Sequence, residues 1–328
     1  MRNRFLSVRI WVAAIAGLGI SIAYAQPWPA KPVRVIVQAP VGGPTDIVTR
    51  GASQMLTQTL GQAFVVENRA GANGILGAET CMRAAPDGYS ICGFNAQAIS
   101  QNPVMVAKLP YEPAKDFLPI VHLGSLRSAL SVNVSLSAGN VTQLFELAKS
   151  KPGSLNWATY GPTSNSHLYL EWLKSTRDLS FLNVPYKTAG QAFTSMVAGE
   201  TQIAIYSTGN TVQMAKAGKI RVLAVIGEGP SPFLPGVPSF KEAGIGLQIG
   251  NWTGLFAPAG FPVVTIQRIN TEVAKMMATA EFREKFMSSV GLEPEAPAGR
   301  PVEEFASFLR VDRAAAESMA RVIGIKPE

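Results

Sequence analysis

Val35-Ile36-Val37-Gln38-Ala39-Pro40-Val41-Gly42-Gly43-Pro44-Thr45-Asp46-Ile47-Val48 decides the fold of this chain. Val35, Ile36 and Val37 suit a strand covered on both faces. Gly42 and Gly43 allow backbone angles that other residues avoid, which predicts a tight turn. Pro44 fits the first helical position, where its missing N–H has no helical partner to lose. Asp46 then falls in the first turn, where a negative charge favours the helix dipole. Val48, Ala52, Met55, Leu56 and Leu60 continue at helical spacing, and Gly61 is the expected stop. A strand-to-helix turn of this kind points unpaired backbone N–H groups at one spot, an arrangement suited to an anion. The stretch has neither the G-x-G-x-x-G spacing of a dinucleotide site nor the G-K-[ST] of a phosphate loop. On its own it reads more readily as a tight strand-to-helix connection without a ligand than as an anion site.

The first 25 residues read as an export leader. Arg2, Arg4 and Arg9 precede an apolar stretch from Ile10 to Ile22, and Ala23-Tyr24-Ala25 is an A-x-A cleavage site before Gln26. The apolar run is short for a membrane span, which needs about 20 residues. The formal charge is +7. Three of those charges are the leader's arginines, so cleavage leaves +4. Lys and Arg are scattered without a basic run, which argues against nucleic acid. Two His and two Cys give no zinc set. In an exported protein Cys81 and Cys92 can form a disulfide or remain two separate buried thiols.

Downstream, strands and helices alternate. Strands are expected at Phe64–Val66, Tyr89–Phe94 and Leu118–Leu123, with a short helix ending near Ala84. The alternation restarts at Leu130–Val134. Helix faces follow at Val141, Leu144, Phe145 and Ala148, and again at Ala189, Phe193, Met196 and Val197. Later strands are expected at Phe181–Val184, Gln202–Tyr206, Ile220–Ile226 and within Leu247–Ala257. This pattern predicts parallel sheets covered by helices. A second polar loop, Tyr160-Gly161-Pro162-Thr163-Ser164-Asn165-Ser166-His167, stands before a helix. Thr163, Ser164, Asn165 and Ser166 are all N-cap residues, more than one cap needs. Each α/β unit therefore places a polar loop at the C-terminal end of a strand, the edge where open α/β sheets bind ligands.

With these features in place, the chain resembles the solute-binding receptors of tripartite tricarboxylate transporters, the Bug receptor family. The resemblance rests on Trp28-Pro29-Ala30-Lys31-Pro32, Gly42-Gly43-Pro44-Thr45-Asp46 and Val66-Glu67-Asn68-Arg69-Ala70-Gly71-Ala72. It continues through Ala84-Ala85-Pro86-Asp87-Gly88-Tyr89, Leu109-Pro110-Tyr111-Glu112-Pro113, Ser166-His167-Leu168, Val184-Pro185-Tyr186-Lys187, Ala217-Gly218-Lys219-Ile220-Arg221, Leu234-Pro235-Gly236-Val237-Pro238 and Ala257-Pro258-Ala259-Gly260. It implies an α/β, type II periplasmic binding protein fold with a ligand cleft between two domains. The chain would cross between them near Leu126 and Asn251, giving domain one as 27–126 plus 251–328 and domain two as 127–250. It implies a periplasmic, monomeric receptor without a cofactor that captures a small carboxylic acid for the membrane permease subunits of a tripartite transporter. The ligand carboxylate would be held by Val41, Gly42, Gly43, Thr45 and Asp46 on one side and by Thr163, Ser164, Asn165 and Ser166 on the other. Gln97, in Asn95-Ala96-Gln97, stands where family members vary and is a specificity candidate. So is Ser207, where relatives often carry an acid. Asp46 would repel a carboxylate it faced; it either orients a water, receives a ligand amine or caps its helix.

Two other readings belong beside this one. A hydrolytic enzyme would need a base, and the histidines are His122 and His167. His122 falls in an apolar strand, the setting of a packed core histidine. His167 follows Ser166 on a helix, and adjacent helical residues point apart. No G-x-S-x-G elbow or metal motif is present. A ligand sensor for a signalling receptor would look the same in sequence.

Overall fold

A computed structural model describes residues 28–325 apart from 162, 163, 228 and 248, and also residue 327. The leader at 1–25 and Thr163 lie outside the described residues.

The chain opens with β1 (Val33–Val37), α1 (Pro44–Leu60), β2 (Phe64–Asn68), α2 (Ile75–Met82) and β3 (Ser90–Asn95). The short helices α3 (Asn102–Met105) and α4 (Pro113–Asp116) lead to β4 (Phe117–Leu126). A second run follows: β5 (Ser128–Asn133), α5 (Val141–Ser150), β6 (Asn156–Thr159), α6 (Asn165–Arg177), β7 (Leu182–Pro185), α7 (Ala189–Ala198), β8 (Ile203–Ser207), α8 (Thr208–Lys216) and β9 (Ile220–Val225). The chain then returns through β10 (Asn251–Pro258), α9 (Val263–Met277), α10 (Ala280–Phe282), β11 (Leu292–Glu293) and α11 (Val302–Ile323).

Two sheets result, ordered β11-β4-β10-β3-β1-β2 and β7-β6-β8-β5-β9. In β1, Val33 and Val35 pack with Val48, Ala52 and Leu56 of α1, whereas Ile36 packs on the other face with Ala78 and Phe94. That two-sided burial explains the unbroken apolar run. Gly42 adopts φ +82, a left-handed angle that favours glycine, and Gly61 ends α1 at φ +74. The expectation of parallel sheets holds only in part. β10 runs antiparallel to β3 and β4, and β5 runs antiparallel to β8 and β9. These are the strands through which the chain passes between the sheets, and a passing strand enters against the direction of its neighbours.

The pairing registers set how the sheets meet. β4 and β3 both pair antiparallel with β10, so β4 ends at the edge where β1 and β3 end. Only Arg127 separates β4 from β5. β5 starts with Ser128 opposite Ser207, the last residue of β8. The single-residue crossing therefore joins the C-terminal edge of the first sheet to that of the second. β10 starts at the same place, with Asn251 opposite Leu126.

Arg127 is buried and held by several acceptors. Its guanidinium donates to the carbonyls of Ile226 (2.6 Å), Gly229 (2.6 Å) and Pro230 (3.1 Å), and Nη1 lies 3.5 Å from Glu293. The helix α11 spans both halves. Phe305 and Leu309 belong to the core of the first sheet, and Met319 to the core of the second. Between them Asp312 accepts a 2.8 Å hydrogen bond from Trp252 Nε1. Cys81 of α2 and Cys92 of β3 form a disulfide with Cα atoms 6.2 Å apart.

Candidate functional site at the facing sheet edges

The loop between β1 and α1 is held from within. Asp46 is buried, with its carboxylate accepting from the Gly42 amide (2.9 Å), from Arg50 Nε (2.9 and 3.0 Å) and from Asn68 Nδ2 (2.8 Å). Burial alone would raise its pKa. The bonds from Arg50, Gly42 and Asn68 and the charge of Arg50 outweigh it and hold the carboxyl below its usual range. These partners satisfy Asp46 within the protein and use it to clamp the loop. Asn68 also donates to Ala39 O at 2.9 Å, so β2 supports the same turn. Arg50, one turn beyond Asp46, was legible as an i,i+4 pair. Asn68 was not, because nothing local links it to a residue 22 positions away.

The same loop leaves donors unused. Among the described residues no acceptor takes the amides of Val41, Thr45 or Asp46. Val41 is exposed, at 73%, while Thr45 is buried with its hydroxyl 3.2 Å from that of Thr253 on β10. Gly43 sits at φ −76, ψ 164 and caps the helix without a side chain.

The second loop starts α6. Ser164 is the N-cap, accepting from the His167 amide at 3.3 Å and donating to Gly161 O at 2.8 Å. Its one proton is thus committed. The Asn165 and Ser166 amides have no acceptor among the described residues. Asn165 is buried without a side-chain hydrogen bond there, whereas the Ser166 hydroxyl turns into the fold. Ser166 Oγ donates to Ala158 O (2.7 Å) and accepts from Trp157 Nε1 (2.9 Å) and the Ile205 amide (3.2 Å). That also removes any Ser166–His167 nucleophile–base pair.

At neighbouring edges, Ser207 stands at the N-cap of α8 and accepts from Asn210 Nδ2 at 2.9 Å. Gln97 donates its side chain to Asn102 Oδ1 (2.8 Å) and its amide to Asn95 Oδ1 (3.1 Å). Asn95 also accepts from Gln38 Nε2, and the Oε1 of this buried Gln38 has no partner among the described residues. The sequence signal for Gln38 is that of a polar residue closing an apolar strand. His122 is fully buried among Trp252, Phe305 and Phe308, and among the described residues neither ring nitrogen has a hydrogen-bond partner. Burial pushes it down to about 3, so it stays neutral. A cavity of about 540 Å³ lies at the crossings, lined in part by Arg127, Trp252, Glu293 and Asp312. None of the described loop residues lines it.

A match to the family described as the tripartite tricarboxylate transporter family receptor covers residues 48–314. The chain belongs to this receptor family. A UPF0065 protein of Pseudomonas sp. (strain P51) is 32% identical over 259 residues, covering 78% of this chain and 77% of that one. Among solved structures, an R. palustris protein with adipate is 28% identical with a TM-score of 0.71, covering 92% of this chain and all of that one. MatC from Rhodopseudomonas palustris with bound malate is 28% identical with a TM-score of 0.66, covering 89% and 99%. The two-sheet architecture is therefore that of the family's two-domain binding proteins, and its solved members are solute-binding proteins.

Proposed function

We propose that the chain is a periplasmic receptor that closes on a small carboxylate and delivers it to the membrane subunits of a tripartite transporter. The carrying observation is the pair of helix starts whose amides have no acceptor among the described residues, at sheet edges joined through Arg127 and again just before Asn251. In this reading the amides of Val41, Thr45 and Asp46 and those of Asn165 and Ser166 share one carboxylate, each start adding the favourable end of a helix dipole. The lobes are 27–126 with 251–328, and 127–250, with α11 lying across both. Bending occurs at Arg127 and just before Asn251. The adipate and malate of the solved relatives support this ligand class. Export rests on the leader at 1–25, with a mature chain that works as a monomer.

A thermal-shift screen of the mature protein against carboxylic acids, starting with adipate and malate, tests the reading. A ligand at 100 times its Kd adds about 2.7 kcal/mol of stability. A shift with an acid and none with its amide supports the reading; no shift across the panel refutes it. Delivery is tested by uptake of that acid in cells with and without the receptor.

A further inference from the structure

Three aromatic rings meet at the C-terminal edge of the second sheet. Tyr160 follows β6, Tyr206 is the next-to-last residue of β8, and Phe193 lies on α7. β6 and β8 are adjacent and parallel, with Ala158 opposite Ala204. Two residues on, the same register brings Tyr160 beside Tyr206. Phe193 stacks on Tyr206 with centroids 4.5 Å apart and planes 16° apart, and Tyr160 meets Tyr206 edge-on at 6.3 Å and 73°. Below them Ala158, Ala192, Met196 and Ala204 form a small buried core. The rings therefore crown that core at the edge where α6 and α8 begin.

The two phenols differ from the fully buried tyrosines. Tyr111 donates to Ala98 O at 2.8 Å, and Tyr169 is held by the Ile249 amide at 2.9 Å. Among the described residues neither Tyr160 nor Tyr206 has a hydroxyl partner, and neither oxygen is sealed from solvent. Burial, with Tyr206 adding to it, pushes Tyr160 up to about 12, so it keeps its proton. The result is an aromatic wall, two rings stacked and one edge-on, that carries two phenol hydroxyls.

We infer that Tyr160, Tyr206 and Phe193 set the ligand class, favouring an acid with a planar ring and an oxygen substituent over a flexible aliphatic dicarboxylate. The inference rests on the receptor reading above. A ring packs offset or edge-on against such a wall, and its oxygen takes the phenol protons. A second carboxylate there would lose its water against aromatic rings and phenol hydroxyls, with no Lys or Arg from Tyr160 to His167 to offset it.

Calorimetric titration of the mature chain with 4-hydroxybenzoate, cyclohexanecarboxylate and adipate tests this. The expected result is 4-hydroxybenzoate at least tenfold tighter than either other acid. Tyr160→Leu should remove that preference, and Tyr206→Phe should weaken it three- to tenfold. Should Tyr160→Leu fail to fold by circular dichroism, Tyr160→Phe takes its place, with the expectation of Tyr206→Phe. Equal affinities, tightest binding of adipate, or a preference that survives the Tyr160 variant overturns the inference. If Gly43→Val still weakens binding in those cases, the receptor reading stands without the wall. No binding of any acid by the wild-type protein refutes both.

Discussion

Asn68 Nδ2 donates a 2.8 Å hydrogen bond to Asp46 Oδ1, tying the loop after β1 to the end of β2. With Arg50 and the Gly42 amide, it turns a potentially repulsive carboxylate into the clamp of the proposed ligand loop. Asp46→Asn should destabilise the protein by about 1.5–3 kcal/mol, the range for a hydrogen bond to a charged group, measured by urea unfolding at pH 7. The pH dependence has a definite sign. Because the folded pKa is lowered, the contribution is complete above the ordinary carboxylate value of 3.8 and is lost as pH falls through the lower folded value. The variant and the wild type should therefore converge in stability below that value. An undiminished gap there would show that Asp46 acts by packing instead.

Ser166 has a structural task at the start of α6. Its hydroxyl serves Ala158, Trp157 and Ile205 at once. Ser166→Ala should cost about 1–3 kcal/mol of stability, because buried partners are left unsatisfied. Ligand affinity in the folded variant should change less than threefold. A large affinity loss at unchanged stability would place the hydroxyl at the ligand.

The disulfide closes a short loop from Cys81 to Cys92, eleven positions apart. Replacing both cysteines by alanine should lower stability by about 2–3 kcal/mol on the chain-entropy account. Thiol titration of freshly isolated, unfolded protein should find no free thiol before reduction and two after it.

Glu293 of β11 reaches across to the second half of the molecule. Its Oε1 accepts from Ser231 (2.9 Å) and Thr208 (3.1 Å), beside its pairing with Arg127. Glu293→Ala strips a buried cation of its partner, a change that costs about 3–5 kcal/mol. Glu295, 3.8 Å from Arg127 Nε, should keep the loss near the lower figure. Urea midpoints of Glu293→Ala and of Glu293→Ala with Glu295→Ala should separate the two contributions.

Local chemistry made much of this legible. The run Val35–Val37, the glycines and Pro44 encode strand, turn and helix within a dozen residues, and Asp46 and Arg50 share one helix face. What stayed hidden depends on register and on distant partners. Nothing in the residues of β5 or β10 encodes that they run against their neighbours. The Ser166 hydroxyl looks like a surface cap until β6 and β8 are placed around it. Tyr160 and Tyr206 are 46 positions apart and become neighbours only through the pairing of Ala158 with Ala204. The late part of α11 looks like one continuous amphipathic face, although Phe305 and Met319 serve different cores.

The central claim is that two helix starts share one carboxylate. Gly43→Val probes it most directly. Gly43 has ordinary backbone angles, and an added Cβ would meet only Pro40 O at 3.5 Å, so the fold should tolerate the change. The added side chain stands between Val41 and Thr45 in the turn proposed to carry the ligand. Calorimetric titration with the acid giving the largest thermal shift should show at least a tenfold weaker Kd for Gly43→Val, at a wild-type melting temperature. An unchanged Kd in that folded variant would contradict the account and place the ligand elsewhere.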